Sequence, residues 1–170
     1  MIKTCMRTID NINDLNKSDF LSIFGNVFEK TESVALEAFE LKPFRDFEDI
    51  IYKMLNIYEK YGKDKIFEIL NLHPELAVAK KLTSESESEQ ASAKLNECSG
   101  DEYEEFKKLN LKYKEKFNFP FIIAVKGKDK NEILNNFRQR ISNDVEDEFL
   151  EAKKQVKKIA TFRLNEIINK

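Results

Sequence analysis

The chain is poor in the residues that punctuate or cross-link a fold. Its 170 residues include only four Gly and three Pro. So few breakers argue against the many tight turns of an all-β design and favour long helices. Cys5 and Cys98 are its two thiols and share no C-x-x-C spacing. That excludes a disulfide framework and a cysteine zinc site. One histidine among scattered carboxylates speaks against a metal centre. No apolar run reaches membrane-spanning length, so no membrane partner is expected. An excess of one charge is missing too: 29 basic residues face 31 acidic ones, for a net charge of -2. Nothing here would draw a phosphate backbone, so nucleic acid is not an expected partner either. The first residues lack a basic-then-apolar signal pattern and the last are not a peroxisomal tripeptide, so a cytoplasmic location is expected. No glycine-rich phosphate loop or nucleophile elbow occurs.

What is present is 41% hydrophobic and 35% charged, the balance of a soluble globular protein. The length is most simply one domain, 1–170, large enough to bury a core. Helical periodicity dominates. Phe20, Phe24 and Phe28 recur at four-residue steps, with Gly25 inside the pattern where a close approach would explain it. Further helices are expected over Ser33 to Phe39, Phe47 to Tyr61 with Gly62 as C-cap, and from Asp64 through Leu70. His73-Pro74 should open another helix that fades near Lys80, because Pro is favoured at a first helical position. The polar run Thr83 to Ser88 leads into a helix from about Ser86 to Asn96. Ser99 and Glu102 form a capping box for a helix burying Phe106, Leu109, Tyr113 and Phe117. Pro120 forces Phe119 to Val125 out of the helical region. An extended apolar segment without a partner strand has backbone groups to satisfy, and a ligand is one way to do so. Two more helices follow, Lys130 to Ile141 and a long one whose stripe runs Val145, Phe149, Ala152, Val156, Ile159, Ile167. Arg163 falls on that stripe, where a cation needs a partner or a ligand.

Lone His73, in Leu72-His73-Pro74-Glu75-Leu76, is a candidate acid/base group. A helix N-terminus there would favour the neutral ring. From position alone a capping or surface histidine is the more common reading. Ser86-x-x-Glu89 is also an ordinary capping box, Gln90 an ordinary solvated residue, and Arg163 an ordinary snorkelling arginine.

Taken in order, several segments sharpen this. They are Phe24-Gly25-Asn26-Val27-Phe28-Glu29, Pro43-Phe44, Leu72 to Leu76, Leu82-Thr83, Ser86-x-x-Glu89-Gln90 and Leu109-Asn110-x-x-Tyr113. After them come Lys116 to Ile122, Arg140-Ile141-x-Asn143, Glu148 and Ile159-Ala160-x-x-Arg163-Leu164. From about Phe20 to Leu164 the chain resembles the family of 2-oxo-4-hydroxy-4-carboxy-5-ureidoimidazoline (OHCU) decarboxylases, which complete urate degradation to (S)-allantoin. The resemblance implies an all-α single-domain bundle of about eight or nine helices with one short extended apolar segment. It implies a small-molecule substrate, no cofactor and, often, a homodimer. It gives His73 and Glu89 catalytic roles. Pro74, Ser86, Gln90, Phe119, Ile122, Ala124 and Arg163 would bind substrate.

The chain departs from the family pattern at Lys94 and Asn118, where glycine is usual, and in a shorter stretch between His73 and Ser86. These departures bear on the pocket more than on the fold. Two rival readings stand beside the decarboxylase. One is a lyase or isomerase for another small ureide, retuned by Lys94. The other is a non-catalytic helical interaction module.

Overall fold

Helix ends account for most of the chain's organisation. The computed structural model describes residues 8–78 and 81–169. Among them lie nine α-helices and no strand: α1 (Ile9–Asn13), α2 (Lys17–Phe24), α3 (Ser33–Phe39), α4 (Phe47–Lys60), α5 (Lys63–Leu72), α6 (Ser84–Ser92), α7 (Gly100–Phe117), α8 (Lys130–Arg140) and α9 (Val145–Ile168). A 3-10 turn, Leu95–Glu97, lies between α6 and α7. Most of the N-caps are short polar side chains that accept from otherwise unsatisfied amides, although Glu32 before α3 makes no such bond. Asn16 caps α2, Asp46 caps α4 and Thr83 caps α6. Full capping boxes start α7 (Ser99 with Glu102) and α8 (Asp129 with Glu132).

Contacts divide the chain into two compact units. One comprises the residues up to Ile69 together with those from Lys157 on, and the other is Leu70–Val156. In the first, Phe20, Phe24, Phe28 and Tyr58 are fully buried. Phe20 and Phe24 lie 4.7 Å apart by ring centroid, and Phe28 stacks on Tyr58 at 4.8 Å. Each such side chain contributes roughly 1.5–3 kcal/mol of burial free energy. Gly25 follows the last turn of α2, and a Cβ there would come within 2.4 Å of the Leu21 carbonyl oxygen. In the second unit the core centres on Tyr113. Its ring meets Phe119, Phe121 and Phe137 edge-on at 5.8, 5.3 and 5.7 Å. Phe121 stacks on Phe137 at 3.9 Å.

Several expectations are corrected. Pro74 opens no helix: residues 74–78 are turn and irregular chain, so His73 follows the end of α5. The rest of the expected fifth helix, Ala79 and Lys80, lies outside the described residues, as does Cys5. The cap of α6 is Thr83, which places Ser86 three residues into the helix. That helix stops at Ser92, because Lys94 takes a left-handed conformation, φ 58°. Tyr61, not Gly62, ends α4. Val145, assigned to the apolar stripe of the last helix, is exposed. Short α1 had no readable apolar period.

Candidate functional site

His73 is buried, 8% exposed, at the corner that leaves α5. Its backbone N–H donates to the Leu70 carbonyl at 3.3 Å, and its ring Nε2 is shut off from solvent. A helix C-terminus favours a cation, the reverse of an N-terminus, so the dipole reason for a neutral imidazole falls away. Pro74 is half-buried beside it. The chain then makes a turn in which Ala77 takes φ 52°, a left-handed value unusual outside glycine.

Helix α6 supplies the next group. Ser86 and Gln90 are buried and Glu89 is half-buried. Spacings of three and four residues put all three on one side of the helix. Gln90 reaches the histidine corner directly. Its Oε1 accepts from the Ala77 N–H at 3.1 Å, and its Nε2 donates to the Glu75 carbonyl at 3.3 Å. One N–H of that amide remains beyond these two bonds. Helix α7 reaches the same turn from Asn110, whose Nδ2 donates to the Leu76 carbonyl at 3.0 Å. Lys114 of α7 lies 4.0 Å from the Glu75 carboxylate.

The extended segment Phe119–Val125 is buried throughout. Two of its backbone groups find side-chain partners inside the protein, and the Val125 carbonyl accepts from the Lys128 N–H at 2.9 Å. The Ala124 N–H donates to Gln155 Oε1 at 3.0 Å, and the Ile122 carbonyl accepts from Arg140 Nη1 at 2.7 Å. Arg140 is anchored in turn by Glu148, whose Oε1 accepts from its Nε at 2.9 Å and its Nη2 at 2.6 Å. Asn143 donates to the other oxygen at 2.8 Å, and the Tyr113 hydroxyl donates to Oε1. Burial first, and the Glu148 carboxylate second, push the Tyr113 phenol well above its ordinary value, so it stays a donor. The Arg140 guanidinium lies over the Phe121 ring, 4.4 Å from its centroid. Phe119 packs its ring among Tyr113, Phe117 and Phe149.

Arg163 belongs to the other unit. It is 4% exposed, and its Nη2 pairs with Glu29 Oε2 at 2.9 Å while Nη1 donates to the Asn26 carbonyl at 3.0 Å. The partner that a cation on the α9 stripe required is therefore Glu29, itself 1% exposed.

Sequence reasoning passed over Glu29, Asn110, Arg140, Glu148 and Gln155 as functional side chains. A signal existed for two of them. Asn110 lies in the buried series Phe106, Asn110, Tyr113, Phe117, and Gln155 precedes Val156 on α9; each is a polar group at an apolar position. Lys94, a concern for the pocket, lines a hollow with Lys128, Asp129 and Lys130. Burial raises the Cys98 thiol above its ordinary value, so it offers no ready nucleophile. Among the described residues no group of three or more His, Cys, Asp or Glu could hold a metal ion, and no helix is long and apolar enough to cross a membrane.

This arrangement can be set against known proteins. The sequence pattern that defines OHCU decarboxylases matches residues 13–165. The chain belongs to the OHCU decarboxylase family. It is 34% identical to the OHCU decarboxylase of Haloferax volcanii over 159 residues, covering 94% of this chain and 95% of that one. The Xenopus laevis OHCU decarboxylase is also 34% identical, over 92% of this chain and 91% of its own. A bifunctional uric acid degradation protein of Bacillus sp. is 38% identical over 95% of this chain. There the chain spans only about a third of the relative, 32%. The structure of an (S)-allantoin synthase superposes with a TM-score of 0.73 at 26% identity, over 95% of this chain and 54% of the other. An OHCU decarboxylase crystallised in the presence of (S)-allantoin superposes at 0.69 and 20% identity, over 91% and 100%, and supports the all-helical fold. The two residues that depart from the family's glycines, Lys94 and Asn118, both take left-handed conformations, φ 58° and 62°. Glycine is the residue such positions favour, and asparagine is its closest substitute.

Proposed function

We propose that this chain is a cofactor-independent carboxy-lyase that converts OHCU to (S)-allantoin in urate degradation. It acts as one catalytic domain over 1–170, in the cytoplasm, and as a homodimer. The observation that carries the reading is the lone imidazole, buried at a corner that Gln90 holds, in a chain matched by this family over residues 13–165. Ser86 and Glu89 share the helix face that presents Gln90.

Decarboxylation leaves an electron pair on the carbon that held the carboxylate. The substrate's own conjugated imine and urea take up that pair. His73 exchanges a proton with the hydroxyl and carboxyl region as carbon dioxide leaves. Glu89 orients the ring or delivers a proton to one face, which sets the S product. Gln90, through its second N–H, holds a ring or ureido oxygen, and the resemblance to the family gives Arg163 the same kind of role. Pro74, Ser86, Phe119, Ile122 and Ala124 shape the pocket. Preorganised donors stabilise charge as it develops on the ring.

The test uses substrate made fresh by urate oxidation and ring hydrolysis, followed by circular dichroism. Spontaneous decay gives racemic allantoin, so an enzyme-dependent chiral burst reports the reaction. A folded His73→Ala variant should lose about a hundred- to ten-thousand-fold in kcat, the usual contribution of a positioned acid/base. No burst from the parent protein refutes the activity, and near-parent turnover in His73→Ala refutes the role of the imidazole.

A further inference from the structure

Asn110 occupies the buried stripe of α7 between Phe106 and Tyr113. It makes poor use of that place as packing. Its Nδ2 donates to the Leu76 carbonyl, but its Oδ1 is buried and accepts no hydrogen bond. A leucine of the same branching would remove the unanswered Oδ1 but leave the Leu76 carbonyl without its donor. With either residue one buried acceptor stays unanswered, so stability alone does not single out an amide here. What the amide supplies is one donor, aimed at one carbonyl.

That carbonyl lies in the turn that carries His73. Glu75, Leu76 and Ala77 each have a backbone group tied to a side-chain amide. The Glu75 carbonyl and the Ala77 N–H go to Gln90 on α6, and the Leu76 carbonyl goes to Asn110 on α7. Gln90 acts as a short stand-in for a neighbouring strand, and Asn110 closes the opposite side. Ala77 holds its left-handed φ within this clamp. Such conformations persist where surrounding bonds over-determine them, often at functional sites. The turn joins His73 through Pro74, whose ring fixes its own φ. On the other side His73 is bound to the end of α5 through Leu70. The imidazole is thus held between a helix end and a clamped turn.

We infer that Asn110 is a positioning residue for His73: with Gln90 it fixes the turn Glu75–Ala77 and so the aim of the imidazole. The inference rests on the decarboxylase reading. Its test is Asn110→Leu in the full chain, with Asn110→Ser as the variant that keeps a donor. Asn110→Leu should remain folded with an unfolding temperature a few degrees below the parent's at most, since it exchanges one unanswered buried acceptor for another and adds some bulk. Its kcat should fall about ten- to a hundredfold, the scale of a small misplacement of a reacting group, with KM little changed. Asn110→Ser should recover part of the loss. In a His73→Ala background the Leu change should cost no further activity.

A second readout needs no turnover. With one histidine in the chain, its ring resonances are assigned without ambiguity. Asn110→Leu should shift or multiply them. Unchanged kcat with unchanged ring resonances overturns the inference. An equal loss of activity with and without His73 overturns it as well. If the parent protein lacks activity on OHCU, the decarboxylase reading fails while the ring resonances still decide whether Asn110 holds His73. If Asn110→Leu does not fold, the same measurements on Asn110→Ser decide: intermediate kcat with shifted ring signals supports the inference, and parent-like values of both refute it.

Discussion

Removing the Glu148 carboxylate tests the frame behind the extended segment. Glu148 is 0% exposed and Arg140 7%. Four hydrogen bonds converge on that carboxylate, from Arg140 twice, from Tyr113 and from Asn143. Glu148→Ala leaves the guanidinium buried over the Phe121 ring with the Ile122 carbonyl as its remaining hydrogen-bond partner. Breaking one side of a buried pair costs about 3–5 kcal/mol, because the other charge stays desolvated. For a chain of this size that corresponds to a fall in Tm of roughly 10 °C. Tyr113→Phe removes a single hydrogen bond to a charged group, worth about 1.5–3 kcal/mol. The double change Arg140→Met, Glu148→Leu leaves no charge behind, and its cost should drop well below that of Glu148→Ala. Thermal melts at neutral pH, followed at 222 nm, give the ordering. A Glu148→Ala protein within about 1 kcal/mol of the parent, or a double variant as unstable as the single, refutes the network as drawn. Because Arg140 also holds the Ile122 carbonyl, Glu148→Ala should raise KM in the allantoin assay.

Three other outcomes follow from the geometry. Arg163→Lys keeps a cation beside Glu29 but loses the planar fork, so KM should rise; intact KM and kcat would make Arg163 a structural cation only. Lys94→Gly relieves a left-handed side chain against a smaller loss of backbone entropy, so it should stabilise by about 0.5–1 kcal/mol, and a Tm that fails to rise contradicts this. The Asp49 carboxyl is held below its usual 3.8 by the Arg45 backbone N–H first and Lys53 next. A depressed carboxylate adds stability above its unfolded value and loses it as pH falls through the folded one. The gap in Tm between the parent and Asp49→Asn should therefore be constant above about pH 5 and close progressively below it; a gap that persists well below the folded value refutes the assignment.

Much of the helical framework was legible because its causes are local. A capping box needs only Ser99 and Glu102, and a buried stripe needs only the spacing of Phe106, Tyr113 and Phe117. The break at Pro120 was legible for the same reason, since its ring restricts Phe119 directly. The corner at His73-Pro74 was misread because proline suits both a first helical turn and an irregular exit. Nothing within a few residues separates the two cases. Thr83 and Ser86 compete for one cap in the same way, and the choice between them depends on which turn packs inward.

Of the site, the sequence supplied the candidates, and resemblance gave them roles. By itself it determined that helices would dominate, that the helical rhythm would stop after Asn118, and that Arg163 sits where a cation needs a partner unless it snorkels. Only the tertiary structure decided that this partner is Glu29, 134 residues away in the chain. It alone decided that Gln90 and Asn110 grip the turn after His73, and that Arg140 and Glu148 hold Ile122. Local propensity acts over one helical turn, whereas desolvation makes each buried polar group find its partner wherever the packed chain happens to bring one.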